Sequence, residues 1–309
     1  MRSVSCAILL ALSTGSGLYA QNEESRPITS GRYTVLQTWS QEKKFERPWF
    51  VRVPVRRSAR KLPVFIFLHG NGGTAERSMN GMMRRLRAIA ASHIMVFPDG
   101  YARSWNIVSE RSRADDSAFV EAIIRTLAQC SNVEPNSFTI MGNSNGAALV
   151  NQLAIESKLP NIRNLISAVS PLNVYQHNGK GFRARGKDNN YSNIVRPPTG
   201  RRLLNISGTK DRLVPYNGGP SPVIPAKNGR LAFVAAEEST FLWARHMGHR
   251  GERLKKPTRT QGKLGFYEYL DGDVVHIKVN DEGHGAGGAV SEKILLEFMN
   301  HPPKLLETL

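Results

Sequence analysis

Two kinds of apolar run alternate along this chain. Arg47-Pro48-Trp49-Phe50-Val51-Arg52-Val53-Pro54 alternates apolar and polar positions, with Trp49, Val51 and Val53 on one side. That period of two predicts an antiparallel strand with one buried face. Pro63-Val64-Phe65-Ile66-Phe67-Leu68 is continuously apolar over the length of one strand and ends at His69-Gly70. Both of its faces must be covered, which is the condition of a central parallel strand. Residues 94–97, 138–141, 165–169 and 203–206 repeat that reading more weakly. Between them the spacing becomes helical, most clearly at Phe119, Val120, Ile123, Ile124 and Leu127, with Asp115 or Asp116 placed to cap the helix start. Strands alternating with helices predict an α/β fold, a mostly parallel central sheet with helices on both faces. The stretch from Tyr175 to Arg202 breaks the rhythm. It is rich in Gly, Asn, Lys and Arg, and is expected either to run over the surface and cover a site or to be disordered.

The first twenty residues follow another pattern. Arg2 precedes nine apolar-core residues, Val4 to Leu12, and small residues lead to Ala20 before the polar Gln21-Asn22-Glu23-Glu24. This is the layout of a secretory signal peptide cleaved after Ala20, leaving 21–309 as a single domain and directing the protein outside the cytoplasm. The apolar core is too short to cross a bilayer, which takes about 20 residues, so no stable membrane insertion is expected. Cys6 would leave with the signal. The mature chain would then keep one thiol, Cys130, and no intramolecular disulfide.

Within the expected mature chain, Gly142-Asn143-Ser144-Asn145-Gly146 fits G-x-S-x-G between the strand ending at Met141 and a helical run from Ala147 to Ala154. A strand-to-helix elbow of this kind exposes a serine on a strained turn, and flanking glycines let the backbone pass closely. A serine hydroxyl needs a base to take its proton and an acid to orient that base. Asp211, in Gly208-Thr209-Lys210-Asp211, follows the strand at 203–206, and His284, between Gly283 and Gly285, follows the strand at 274–279. Each stands where a parallel strand delivers side chains to a site at its carboxyl end. The competing acids are Asp99, Asp271 and Asp273. The competing histidines are His69, His246, His249 and His276, with Asp273 and His276 more simply surface or packed residues and His69 packing beneath the next loop. That loop, His69-Gly70-Asn71-Gly72-Gly73, follows the best central strand. Its glycines free backbone donors for an oxyanion, assigned to the N–H of Asn71, with Gly72 as the alternative, and to the N–H of Asn145.

These stretches, together with Pro98-Asp99-Gly100-Tyr101, Trp105-Asn106, Asp115-Asp116 with Phe119, and Val214-Pro215-Tyr216, resemble the polyhydroxybutyrate depolymerase and feruloyl esterase group of α/β-hydrolases over about residues 45 to 300. The resemblance implies Ser144 as nucleophile, Asp211 as orienting acid and His284 as base. It implies a serine carboxylic ester hydrolase whose substrate is a polyester, the feruloyl or acetyl esters of a polysaccharide, or a small aryl ester. Trp105 has two open readings, a stacking face offered to substrate or a buried residue closing the core, while Trp243 is expected in the core. One departure is the shortage of cysteines, which such relatives often pair.

Charge adds one further expectation. The chain carries 42 Lys and Arg against 25 Asp and Glu, a formal net charge of +17. Such an excess attracts polyanions, and acidic polysaccharide or an anionic envelope is the expected contact, against the alternative of a merely soluble basic surface. No zinc-finger spacing or recognition-helix signature directs the charge to nucleic acid. His246-x-x-His249 lacks the glutamate of a zincin, so neither a metal nor another cofactor is expected. Two alternatives stay open: a non-catalytic basic protein that binds acidic polysaccharide, and a serine peptidase on the same fold.

Overall fold

The computed structural model describes residues 26–55 and 60–301. The predicted signal segment, with Cys6, lies outside them. The chain forms β1 (Gly31–Trp39), β2 (Glu42–Arg52), β3 (Leu62–Leu68), α1 (Ala75–Arg85), α2 (Arg87–Ser92), β4 (Ile94–Pro98), α3 (Asp116–Ala128), β5 (Val133–Asn143), α4 (Asn145–Glu156) and β6 (Ile162–Ala168). After these come β7 (Arg202–Gly208), β8 (Gly219–Ala226), β9 (Gly229–Phe233), α5 (Ala236–His246), β10 (Arg259–Gln261), β11 (Leu264–Tyr269), β12 (Val274–Val279) and α6 (Glu292–Asn300).

Ten strands make one sheet, in the order β1-β2-β4-β3-β5-β6-β7-β12-β11-β10. The six from β4 to β12 in that order pair in parallel, and antiparallel strands extend both sides. The continuous apolar runs are the reason for this arrangement. In β3, Val64, Ile66 and Leu68 enter one apolar cluster and Phe65 and Phe67 the other, and β4 divides in the same way. Residues of α3, α4 and α5 cover the first cluster, while residues of α1, α2 and α6 cover the second. The alternating 47–54 stretch forms β2, where Trp49 and Val51 are buried and Arg52 is exposed, as a strand beside the sheet margin requires.

The two candidate helix caps have different tasks. Asp115 is the cap, its Oδ1 accepting the N–H of Ala118 at 3.1 Å. Asp116 is fully buried and meets the guanidinium of Arg47, itself fully buried, at 2.7 Å. The guanidinium also lies 4.0 Å from the Phe119 ring centroid. This pair ties β2 to α3. Asp273 is likewise buried rather than on the surface, with Arg202 Nε at 2.7 Å.

The 175–202 stretch does not cover the site, contrary to one reading of its sequence. Phe182, Asn189 and Tyr191 are buried, and Tyr191 Oη donates to the carbonyl of Ile107 at 2.7 Å. Asn189 Nδ2 donates to Asn106 Oδ1 at 2.7 Å. Its polar composition thus serves a packed brace behind residues 106–108, and none of it lines the cavity described below. Cys130 is free and half-buried. Among the described residues no helix is long and apolar enough to cross a membrane.

His276, on β12, is fully buried among Tyr216, Tyr267 and Asn205, with Lys278 nearby and Glu237 accepting from the Tyr216 hydroxyl. Burial, reinforced by the Lys278 charge, pushes its pKa down from 6.5 to about 3. Between those values the unfolded chain holds a proton that the native chain lacks, so stability falls as pH drops through the window. At about pH 5 this one group is expected to cost about 2 kcal/mol relative to neutral pH. Urea midpoints measured at about pH 7 and pH 5 should differ less in His276→Gln than in wild type. Equal differences would show that this histidine does not govern the acid loss.

Candidate active site

The turn between β5 and α4 is where the sheet ends and the serine is displayed. Ser144 has φ +54° and ψ −118°, a conformation that L residues avoid. The two glycines of the pentapeptide make it possible by yielding space. A Cβ on Gly142 would lie 2.2 Å from the Gly146 carbonyl oxygen, and one on Gly146 would lie 2.4 Å from that of Leu68. The Ser144 N–H donates to Ala168 O at 2.9 Å, holding the elbow to the end of β6.

Two further loops reach this point from β7 and β12. Asp211 Oδ1 accepts the N–H groups of Leu213 at 2.8 Å and Val214 at 3.0 Å. Its other oxygen, Oδ2, lies 2.7 Å from His284 Nδ1. His284 Nε2 lies 2.8 Å from Ser144 Oγ. The three residues singled out from distant stretches therefore stand in one continuous hydrogen-bonded line. Gly208, whose sequence gave no sign of this task, lets the two loops touch. A Cβ there would lie 2.4 Å from the Glu282 carbonyl oxygen and 2.5 Å from that of Gly283. Lys210 N–H donates to Glu282 O at 2.8 Å in the space so left.

Asn71 and Asn145 both border the cavity at Ser144. The Gly72 N–H is already committed to Arg103 O at 2.8 Å, whereas the Asn71 N–H has no acceptor among the described residues. Geometry thus prefers Asn71 to its neighbour. Asn145 is the first residue of α4, so its N–H has no intrahelical partner. Its side chain braces the neighbouring loop: Oδ1 accepts the Trp105 N–H at 2.7 Å, and Nδ2 donates to Trp105 O and to Glu110 Oε1, each at 3.1 Å.

Trp105 is a correction. Its side chain is fully buried, its Nε1–H donates to His69 O at 2.7 Å, and its ring packs 4.8 Å from the His69 ring. It supports the elbow from below and offers no stacking face to a substrate. His69 accepts the Gly100 N–H on Nε2 at 3.0 Å, which leaves the proton on Nδ1 to donate to Gly70 O at 2.8 Å. Burial lowers its pKa, although the Gly70 carbonyl and Asp99 pull the other way. It sits beneath the glycine loop and is not in the line with Ser144.

Ser144 and His284 open into a cavity of about 890 Å³. Leu213 and Val214 from the Asp211 loop line it, as do Val223, Ile224, Pro225, Leu231 and Phe233 from the β8–β9 hairpin. The hairpin was absent from the sequence reading, although Asn228-Gly229 at its tip is a turn signal. The Ser109 hydroxyl donates to Pro225 O at 2.8 Å and ties the hairpin to the 104–111 stretch. Glu110 also lines the cavity and was likewise missed. Burial raises its pKa, opposed by the backbone N–H groups of Val108 and Ile107. Among the described residues no group of three or more His, Cys, Asp or Glu is placed to hold a metal ion.

A mostly parallel sheet with a strained serine turn after β5 and acid and histidine loops after β7 and β12 defines the α/β-hydrolase fold, and this chain has it. The chain is similar in fold to the acetyl xylan esterase of Aspergillus awamori, with a TM-score of 0.55 and 12% identity over 82% of this chain and 93% of that one. It is also similar to a thermostable esterase, with a TM-score of 0.54 and 14% identity over 87% of this chain and 62% of that one. In sequence it is similar to feruloyl esterase B of Piromyces equi, 26% identical over 231 residues, which are 73% of this chain and 40% of that protein. The chain thus spans less than half the length of that relative. No family model matches. These likenesses agree with the resemblance to feruloyl esterase-like α/β-hydrolases carried by the motifs.

Proposed function

We infer that this protein is a serine carboxylic ester hydrolase working through an acyl-enzyme. The observation that carries the reading is the line Ser144 Oγ–His284 Nε2–His284 Nδ1–Asp211 Oδ2, with spacings of 2.8 and 2.7 Å, at the edge of a substrate-sized cavity. Ser144 Oγ attacks the ester carbonyl while His284 Nε2 takes its proton. The N–H groups of Asn71 and Asn145 receive the oxyanion, and Asp211 steadies the imidazolium. Collapse breaks the bond to the leaving oxygen, which departs as the alcohol with the proton from His284. Water, deprotonated by His284, then attacks the acyl-serine and releases the carboxylic acid with Ser144 restored.

Two substrate classes are proposed: polyester chains, which only the motif resemblance implies, and feruloyl and acetyl esters on polysaccharide. The feruloyl esterase relative and the acetyl xylan esterase fold favour the polysaccharide esters. The apolar wall formed by Leu213, Val214, Val223, Leu231 and Phe233 suits an acyl or aryl group. The signal pattern at residues 1–20 supports export before the enzyme acts. One measurement covers nucleophile and export together, the intact mass of protein recovered outside the expressing cells, before and after a serine-directed fluorophosphonate. The expected result is a chain beginning at Gln21 that gains one adduct on Ser144 and hydrolyses an ester faster than the matching amide. A chain without adduct ends the hydrolase reading, and a faster amide favours a peptidase.

A further inference from the structure

The active-site cavity carries charge on one chain segment only, residues 103–111, and that charge is largely positive. Arg103 and Arg111 line it, and Glu110 is the one acidic residue among the lining side chains. Glu110 is already fully engaged. Its Oε2 accepts the N–H groups of Ile107 at 2.9 Å and Val108 at 2.7 Å, and its Oε1 accepts from Asn145 Nδ2 at 3.1 Å. Arg103 donates to the Gly72 carbonyl. The guanidinium of Arg111 is exposed and has neither an ion pair nor a hydrogen bond among the described residues.

The backbone beneath Arg111, by contrast, is pinned. Gln41 Nε2 donates to Arg111 O at 2.8 Å, and Gln41 Oε1 accepts the Arg113 N–H at 2.7 Å. On the other side Glu110 is fixed as described, and Ser109 is tied to the hairpin. A free guanidinium rooted on a fixed backbone, bordering the cavity that holds the nucleophile, is available to receive a planar anion through two parallel N–H donors. We propose that Arg111, assisted by Arg103, forms a carboxylate subsite, so that the preferred ester carries an ionised carboxylate beyond its scissile bond. This rests on the ester hydrolase reading and narrows its substrate. Two sources share the chemistry: a uronate of an acylated acidic polysaccharide, and the free carboxyl end of a hydroxy-acid oligomer.

The test compares kcat/KM for each carboxylate substrate and its primary amide, which has the same shape without the charge. One arm uses an acetylated uronate oligosaccharide and the other a 3-hydroxybutyrate dimer, so the favoured arm identifies the source. At low salt the acid is expected to exceed the amide by about tenfold in one arm. Arg111→Ala should bring that ratio close to one and Arg111→Glu should invert it, while added salt shrinks it in wild type. Both substitutions fall on an exposed side chain, and the within-variant ratio is independent of how much protein folds. Hydrolysis of acid and amide at equal rates in both arms, or a ratio that survives Arg111→Glu, would overturn the subsite and leave the hydrolase reading standing. Absence of hydrolysis in every arm and on simple aryl esters would sink both.

Discussion

Ser144→Ala is expected to lower kcat on a chromogenic short-chain ester by about 10⁶-fold, the scale seen when a serine hydrolase loses its nucleophile. The physical reason is that no other hydroxyl is held by His284: Nε2 has Ser144 Oγ at 2.8 Å. Alanine keeps the Cβ, so the strain of φ +54° is unchanged, and the Ser144 N–H to Ala168 O bond is retained. Stability should therefore stay within about 0.5 kcal/mol of wild type, as for substitutions that touch no packing or cap. Residual turnover above that in water would come from the Asn71 and Asn145 donors and from binding. Activity near the wild-type level, with a normal urea midpoint, would remove Ser144 from the chemistry.

The second large effect is expected at Asp211. In Asp211→Asn, one position of the side-chain amide must face the N–H groups of Leu213 and Val214 and the other must face His284 Nδ1. Two backbone donors against an amide NH₂ are repulsive, so the amide oxygen stays with them and the NH₂ turns to the histidine. The imidazole must then accept on Nδ1 and carry its proton on Nε2, where it no longer takes the proton of Ser144. A loss of about 10⁴-fold in kcat follows from this wrong tautomer, with the backbone turn intact. Rate measurements paired with urea midpoints check it. A loss under tenfold would mean that Asp211 does not set the imidazole.

The parts of this molecule that could be read early are those whose signals lie within a few residues. The run Val64 to Leu68 demands cover on both faces wherever it is placed, and it forms the middle of the sheet. A serine turn with glycines two residues away on either side, set between a strand and a helix, carries its own steric reason. Asp211 and His284 stand just past strands that end at the same edge of a parallel sheet, so topology alone brings them near that serine. The alternation of 47–54 announced a half-covered strand in the same local way.

Elsewhere the local signal was compatible with more than one outcome. Trp105 has an indole that suits a ligand or a core equally well, and only its bond to the His69 carbonyl decided for the core. Asp115 and Asp116 are equivalent as caps until Arg47, far away in sequence, claims the second. The Gly- and Asn-rich stretch from 175 to 202 was polar enough for solvent, yet its polar groups find partners in the 106–108 backbone and side chains and bury there.

What the sequence determined by itself is the layered α/β plan, the strained serine turn and the identity of an acid and a histidine in suitable places, because periodicity, glycine sterics and strand order are local or nearly so. What only the tertiary structure decided is the shape and charge of the cavity. The hairpin from 219 to 233 and the arginines at 103 and 111 meet around Ser144 through contacts such as Ser109 to Pro225, 116 residues apart. Long-range docking of that kind depends on how whole elements pack, and no short stretch of chain encodes it alone.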